Sequence, residues 1–375
     1  MRSLYQRIKA YVPLGAMVVF AFSSFSLIIY LLCIAFPRFA DFINYETAPV
    51  RISLTALSSI FSFSVFEMLV IFSPLIAILL ICKAIKASKQ GKISSIRMAT
   101  SIVACVLCYF IFFVFTFASG YHTTKIEQKF NLNSENIEKS DIYQSTLIVI
   151  KELNSLSNNV EYDINGASIL PYSYKELNQR ICDSYSKLEE KAGLLVSFNS
   201  RVKPLLLSKV FTYMHISGIY IPITGEACIN TNYPDFIIVS STAHEMAHQR
   251  GIARENEASF VGFLALMQSK DPYLKYSAYL DVYISLLNDL KKEDKELYFK
   301  ARSSLNEKVQ ADLNVYSKHF EKYRGSSASK LSNAINDAYL HINGDKYGTK
   351  SYELASKLAC SYLLYCKQKH TTWIK

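Results

Sequence analysis

Hydrophobic and polar positions follow two different regimes along the chain. In about the first third, Phe, Ile, Leu, Val and Ala form long runs almost free of charge; after Tyr121, apolar residues recur at helical spacing among Lys, Glu, Asn, Ser and Tyr. Leu14 to Phe36 carries no charge and is bracketed by Pro13 and Pro37, and Met98 to Tyr121 is also charge-free. Between them, Ile52 to Cys82 holds one charge, Glu67. A helix needs about 20 apolar residues to cross a bilayer, so this middle stretch is too short for two crossings. It predicts a second span over Val65 to Ile85, with Ile52 to Ser64 as an interfacial or re-entrant lead-in. The expected organisation is a membrane domain over 1–121 with spans near 14–36, 65–85 and 98–120, followed by an exported domain over 122–375. The first run exceeds the apolar core of a signal peptide, and no small-x-small cleavage site precedes Pro37.

Basic residues set the expected orientation. Arg2, Arg7 and Lys9 precede the first run, and Lys83, Lys86, Lys89, Lys92 and Arg97 lie around the second loop without an acidic residue, whereas Arg38 and Arg51 are balanced by Asp41 and Glu46. The positive-inside rule then makes the chain a multi-pass protein of the cytoplasmic (inner) membrane, its bulk extracytoplasmic and its first partner the lipid bilayer. The net charge of +10 comes partly from these anchoring residues. It does not imply nucleic acid, because Lys and Glu alternate through the second half as on a solvated surface. Of eight cysteines, Cys33, Cys82, Cys105 and Cys108 lie in or beside the spans. Cys182, Cys228, Cys360 and Cys366 lie beyond them, where disulfides are permitted but no zinc-knuckle spacing occurs.

The exported part reads as mostly α with a small β element. His122 to Asn158 suggests a helical stalk, Asn158 to Ser173 a turn-rich loop, and Tyr174 to Ala192 an amphipathic helix. Gly218 to Ile223 has the β-branched and aromatic character of a strand, and Thr224 to Asp235 that of an irregular loop. Phe236 to Gln249 and Arg254 to Gln268 read as helices separated by Gly251, which suits a helix stop.

The first of these two helices carries His244-Glu245-Met246-Ala247-His248. Residues i and i+4 lie one turn apart on one helical face, so His244 and His248 converge as two ligands of a catalytic Zn2+ would. Glu245 then becomes the catalytic general base for a water at the open position. The flanking Ile237-Ile238-Val239 and Met246-Ala247 predict a buried helix, where two histidines and a glutamate need partners. For the third ligand, Glu255 leads a face of small residues (Ala258, Ser259, Gly262, Ala265) that permits close helix approach. Glu257 heads a face of Phe260, Val261 and Leu264, which suits core packing. Glu255 is the expected ligand and Glu257 the alternative; whichever is not the ligand would orient a histidine or pair with Arg250 or Arg254.

Arg254 stands where the third metzincin histidine would be, and Glu255-Asn256-Glu257-Ala258-Ser259 resembles the gluzincin glutamate element, with Ser where Asp or Asn is usual. The run from Lys203-Pro204 through Ser217-Gly218-Ile219-Tyr220, Pro222, Gly225-Glu226-Ala227 and Asn230 to His244–Ala258 resembles an uncharacterised bacterial membrane family, domain of unknown function 3810. That resemblance implies three spans followed by an α+β zincin-like, gluzincin-type domain with a zinc site; it implies no substrate.

Weaker candidates for contact with a substrate or transition state are Tyr220, Glu226 and Tyr352, and, behind them, Asn230, His215 and His341. The Gly218–Ile223 strand could pair with an extended substrate. The expected function is a zinc metallopeptidase hydrolysing a peptide or protein substrate outside the membrane. The alternatives are a non-catalytic receptor or scaffold with a retained fold, and an envelope amidase acting on peptidoglycan stem peptides. Oligomeric state has no signature in the sequence.

Overall fold

The computed structural model describes residues 2–193, 196 and 198–371. It is mainly helical, with three helices long and apolar enough to cross a membrane and a small three-stranded sheet. The first apolar helix, Leu14–Ala35, stops before Pro37. The second, Val65–Lys89, starts at Ser64, whose hydroxyl accepts from Glu67 N, and the third runs from Lys92 to Thr116. The second is longer than the 65–85 run and the third begins before residue 98. Lys83 to Arg97 is polar but strongly helix-permissive, so helix continues to either side of a turn at Gln90-Gly91.

The third helix ends earlier than residue 120 for a tertiary reason. Phe117 leaves the helical region, and a short 3₁₀ helix, Ala118–His122, follows. Gly120 there packs so tightly that a Cβ would lie 2.9 Å from both the Gly251 carbonyl oxygen and the Ala253 Cβ.

Between the first two apolar helices, Pro37–Glu46 and Ala48–Ser58 are helical. These helices pack against the rest of the chain. Arg51, Thr55 and Ser58 are buried, and Thr55 Oγ1 donates to the Gly225 carbonyl.

The segment expected to be a stalk is core instead. Helix Lys139–Leu156 buries Ile142, Val149, Ile150 and Leu153 against the long helix Pro272–Glu293, whose Leu274, Leu280, Tyr283, Leu286 and Leu290 lie in the same apolar cluster. Its apolar period was visible, but periodicity does not say what covers the face.

Two of the three strands fall where a strand was not expected. β1 (Val202–Pro204) pairs parallel with β3 (Glu226–Ile229), and β2 (Gly218–Ile221) pairs antiparallel with β3, in the order β1-β3-β2. β3 is a four-residue strand inside the supposed loop of 224–235; its acidic first residue and flanking Gly225 and Asn230 hide it from a pattern reading. All eight cysteines are free, so the disulfides that an exported location permitted do not form here.

Candidate metal centre

The motif lies on helix Asp235–Gln249, whose Phe236, Ile238, Val239, Ala243, Met246 and Ala247 are all buried. Gly251, with φ of +92°, turns the chain sharply after it, and Glu255 opens the next helix, Glu255–Met267. The two helices pack closely because Gly262 has no side chain: a Cβ there would lie 3.2 Å from His244 N and 3.3 Å from the Ala243 carbonyl carbon.

That approach brings three ligand atoms together. His244 Nε2 and His248 Nε2 are 3.0 Å apart, and Glu255 Oε2 is 3.1 Å from the former and 3.4 Å from the latter. His248 Nδ1 donates to the Ile252 carbonyl at 2.6 Å. A carbonyl can only accept, so this nitrogen carries the ring proton and Nε2 presents its lone pair. His244 Nδ1 lies 3.0 Å from Ser259 Oγ. His244 Nε2, His248 Nε2 and Glu255 Oε2 thus face one point, where a shared cation is favoured. In the metal-free chain that cation is a proton: burial would lower the His248 pKa, yet Glu255 outweighs burial and lifts it to about 9. Burial likewise works to raise the Glu255 carboxyl, and the two histidines overcome it, holding it well below the usual carboxylate range. His244, His248 and Glu255 therefore form a group able to hold a metal ion.

Glu245 is outside this cluster but beside it. Its carboxyl is buried against Gly218 at the start of β2, and burial pushes it up to about 6, with His244 and His248 pulling the other way. Tyr352 reaches the centre from the C-terminal region. Its hydroxyl accepts from Asn336 Nδ2 at 3.4 Å and lies close enough to Glu255 to feel its charge. Burial of that hydroxyl first, and the Glu255 charge second, hold its pKa well above the ordinary tyrosine range.

Of the other candidates, Tyr220 touches the site and the rest lie elsewhere. Glu257 accepts from Ile126 N at 3.0 Å and pairs with Arg254 Nη1 at 2.8 Å, facing the chain that follows the third apolar helix and not the histidines. Tyr220 stacks on His248 with ring centroids 6.2 Å apart, but its buried hydroxyl has no hydrogen-bond partner among the described residues. Glu226 is not in the site. It is buried in an ion pair with Lys203, and its two oxygens accept from Val65 N and Phe66 N at 2.9 Å each, closing the start of the second apolar helix. Asn230 Nδ2 donates to Thr212 Oγ1 and the Ile216 carbonyl, which makes it a loop brace. His215 bonds the Tyr323 carbonyl, and His341 sits 3.6 Å from Asp337 on the surface.

Four contributors escaped the sequence reading. Phe117, the first residue past the third apolar helix, places its ring 5.5 Å from His248 and 5.4 Å from Tyr220. Asn44 Nδ2 donates to the Gly251 carbonyl at 3.1 Å; Arg51, which donates to the Asn44 carbonyl at 2.8 Å, lies against Gly251. Asp281, on helix Pro272–Glu293, is pushed up to about 6 by burial, with His244 opposing. Its signal was available: a single acid among Leu280, Val282 and Tyr283.

Residues 45–360 match the family model described as a protein of unknown function, DUF3810. No curated protein and no solved structure matches the chain.

Proposed function

We propose that this chain, which belongs to the DUF3810 family, is a membrane-anchored zinc-dependent peptidase of gluzincin type. Its membrane helices occupy the first third, and its site works outside the cytoplasmic membrane. The observation that carries this reading is the convergence of His244 Nε2, His248 Nε2 and Glu255 Oε2 within 3.0–3.4 Å. Two imidazoles and one carboxylate, with both distal ring nitrogens already held, are the donor set of a catalytic zinc that keeps one position open.

Zinc bound by these three residues would supply a Lewis acid and a water of lowered pKa. The chain's own groups do the rest. Glu245, with a pKa near 6, accepts a proton from the attacking water and returns it to the leaving amine. An intact base is what a purely structural site has no need of, and this favours hydrolysis over a scaffold. Tyr352, close enough to Glu255 for its hydroxyl to feel that charge, would donate to the oxyanion as it forms. β2 pairs with β3 on one side only and so offers backbone groups to an extended peptide beside Glu245.

The test is zinc content and peptide-library cleavage by the detergent-solubilised full chain and by Glu245→Gln. Stoichiometric zinc in both, with cleavage lost in the variant, supports hydrolysis. Zinc without cleavage in either supports a scaffold, cleavage of peptidoglycan stem peptides alone supports the amidase reading, and absence of zinc refutes the metal centre.

A further inference from the structure

Among the described residues beyond the three apolar helices, two uncovered apolar surfaces lie close to the ends of those helices. In the first, Leu206 is 65% exposed and Val210 53%, on the loop and short helix Ser208–Tyr213. The second lies on helix Ser327–Ile342, where Leu331, Ile335 and Ile342 are 64%, 62% and 80% exposed. Spacings of four and seven place these three on one stripe, while Leu340, on the opposite face, is fully buried.

Both surfaces are fixed to the same ends of the apolar helices. Glu67, in the first turn of the second, accepts from Leu206 N and Leu207 N at 2.8 and 2.9 Å. Tyr339 packs its ring 6.1 Å from Phe113, one turn before the end of the third. The second helix starts where the third ends, so these contacts lie at one level. The two surfaces are also joined to each other: Ser326 Oγ donates to the Tyr213 carbonyl at 2.6 Å, and Tyr213 and Tyr323 meet edge to face at 4.9 Å.

We infer that the 206–213 segment and helix Ser327–Ile342 form a lipid-facing collar that seats in the surface of the bilayer crossed by the apolar helices. A lipid surface is the occupant because it must lie at that level. Leu69 and Val70, in the first turns of the second helix beside Glu67, are exposed as well, and an amphipathic helix lies in the interface with its apolar stripe down. Contiguous apolar patches this exposed are rare on surfaces that face water. The inference goes beyond the proposed peptidase and holds whether or not zinc binds.

The experiment uses the full chain with Trp373→Phe, reconstituted in vesicles of phosphatidylcholine and phosphatidylglycerol with brominated acyl chains. One tryptophan is introduced at a time: Ile335→Trp, Val210→Trp, Leu69→Trp as the lipid reference, and Asn333→Trp on the opposite face of the helix. Bromolipid should quench the tryptophans at 335 and 210 at least half as strongly as the one at 69, and leave the one at 333 accessible to iodide. Quenching at either 335 or 210 no stronger than at 333 overturns the collar; protection from iodide without lipid quenching overturns it in favour of a protein partner or a second copy. The unaltered chain, irradiated with a diazirine phosphatidylcholine, gives a reading independent of the variants: labelled peptides should cover 206–213 and 327–342, and their absence overturns the inference.

Discussion

Gly218 and Glu245 meet so closely that a Cβ on the glycine would lie 2.5 Å from Oε1 and 2.7 Å from Cγ of the glutamate. The start of the edge strand thus acts as the wall that sets the direction of the Glu245 carboxylate, the base of the proposed peptidase. Gly218→Ala should swing Glu245 away and lower kcat by on the order of 10²-fold, with zinc content unchanged. Unaltered kcat in a variant that folds would show that the wall does not aim the base.

Glu245→Gln keeps the volume and removes the proton acceptor. A loss of about 10²- to 10⁴-fold in kcat is expected, with metal retained. Because burial raises the Glu245 pKa to about 6 and the base must be ionised to act, kcat/KM should fall as the pH drops through that region and level off above it. The Gln variant's residual activity should show no such limb.

Metal uptake should release a proton. With His248 lifted to about 9 in the metal-free chain, the cluster is protonated at pH 7.5, and the ion must displace that proton. Zinc affinity should then rise about tenfold per pH unit up to near 9 and flatten above it. Calorimetry in buffers of different ionisation enthalpy measures the count directly; zero protons released at pH 7.5 would contradict the shared-proton account.

The Lys203–Glu226 pair is buried on both sides, and Lys203 Nζ also donates to the Ser58 carbonyl at 2.6 Å. Glu226→Gln should strand a buried ammonium at a cost of about 3–5 kcal/mol. Adding Lys203→Met to that variant should restore part of the loss. Thermal unfolding of the detergent-solubilised chain reads this out, and equal midpoints for the single and double variants would rule out a stranded charge.

What the sequence made legible was whatever local spacing encodes. The i, i+4 histidines, the helix stop at Gly251 and the small-residue face of Ala258, Ser259 and Gly262 all act within one or two turns, and the convergence of His244, His248 and Glu255 follows from them. The apolar helices were readable for the same reason, from uninterrupted hydrophobic runs. What stayed hidden depends on partners far away in the chain. Glu226 reads in the sequence as a weak candidate for substrate contact because nothing near it announces Lys203 or the free amides of Val65 and Phe66. Helix Lys139–Leu156 looked like a stalk because its cover, Pro272–Glu293, comes more than a hundred residues later. Asn44 and Arg51 reached Gly251 across two hundred positions with no local sign at all.

Glu226 closes the start of the second apolar helix, Glu67 of that helix holds Leu206 and Leu207, and Phe117 touches His248. Many surface enzymes are joined to their anchor by a flexible tether and keep working after they are shed. Here the anchor and the site share hydrogen bonds and side chains, so cutting the chain after Tyr121 would remove Asn44, Arg51 and Phe117 along with the helices. On the proposed peptidase reading, release from the membrane would be inactivation, and an activity found free in the surrounding medium would have to come from another source.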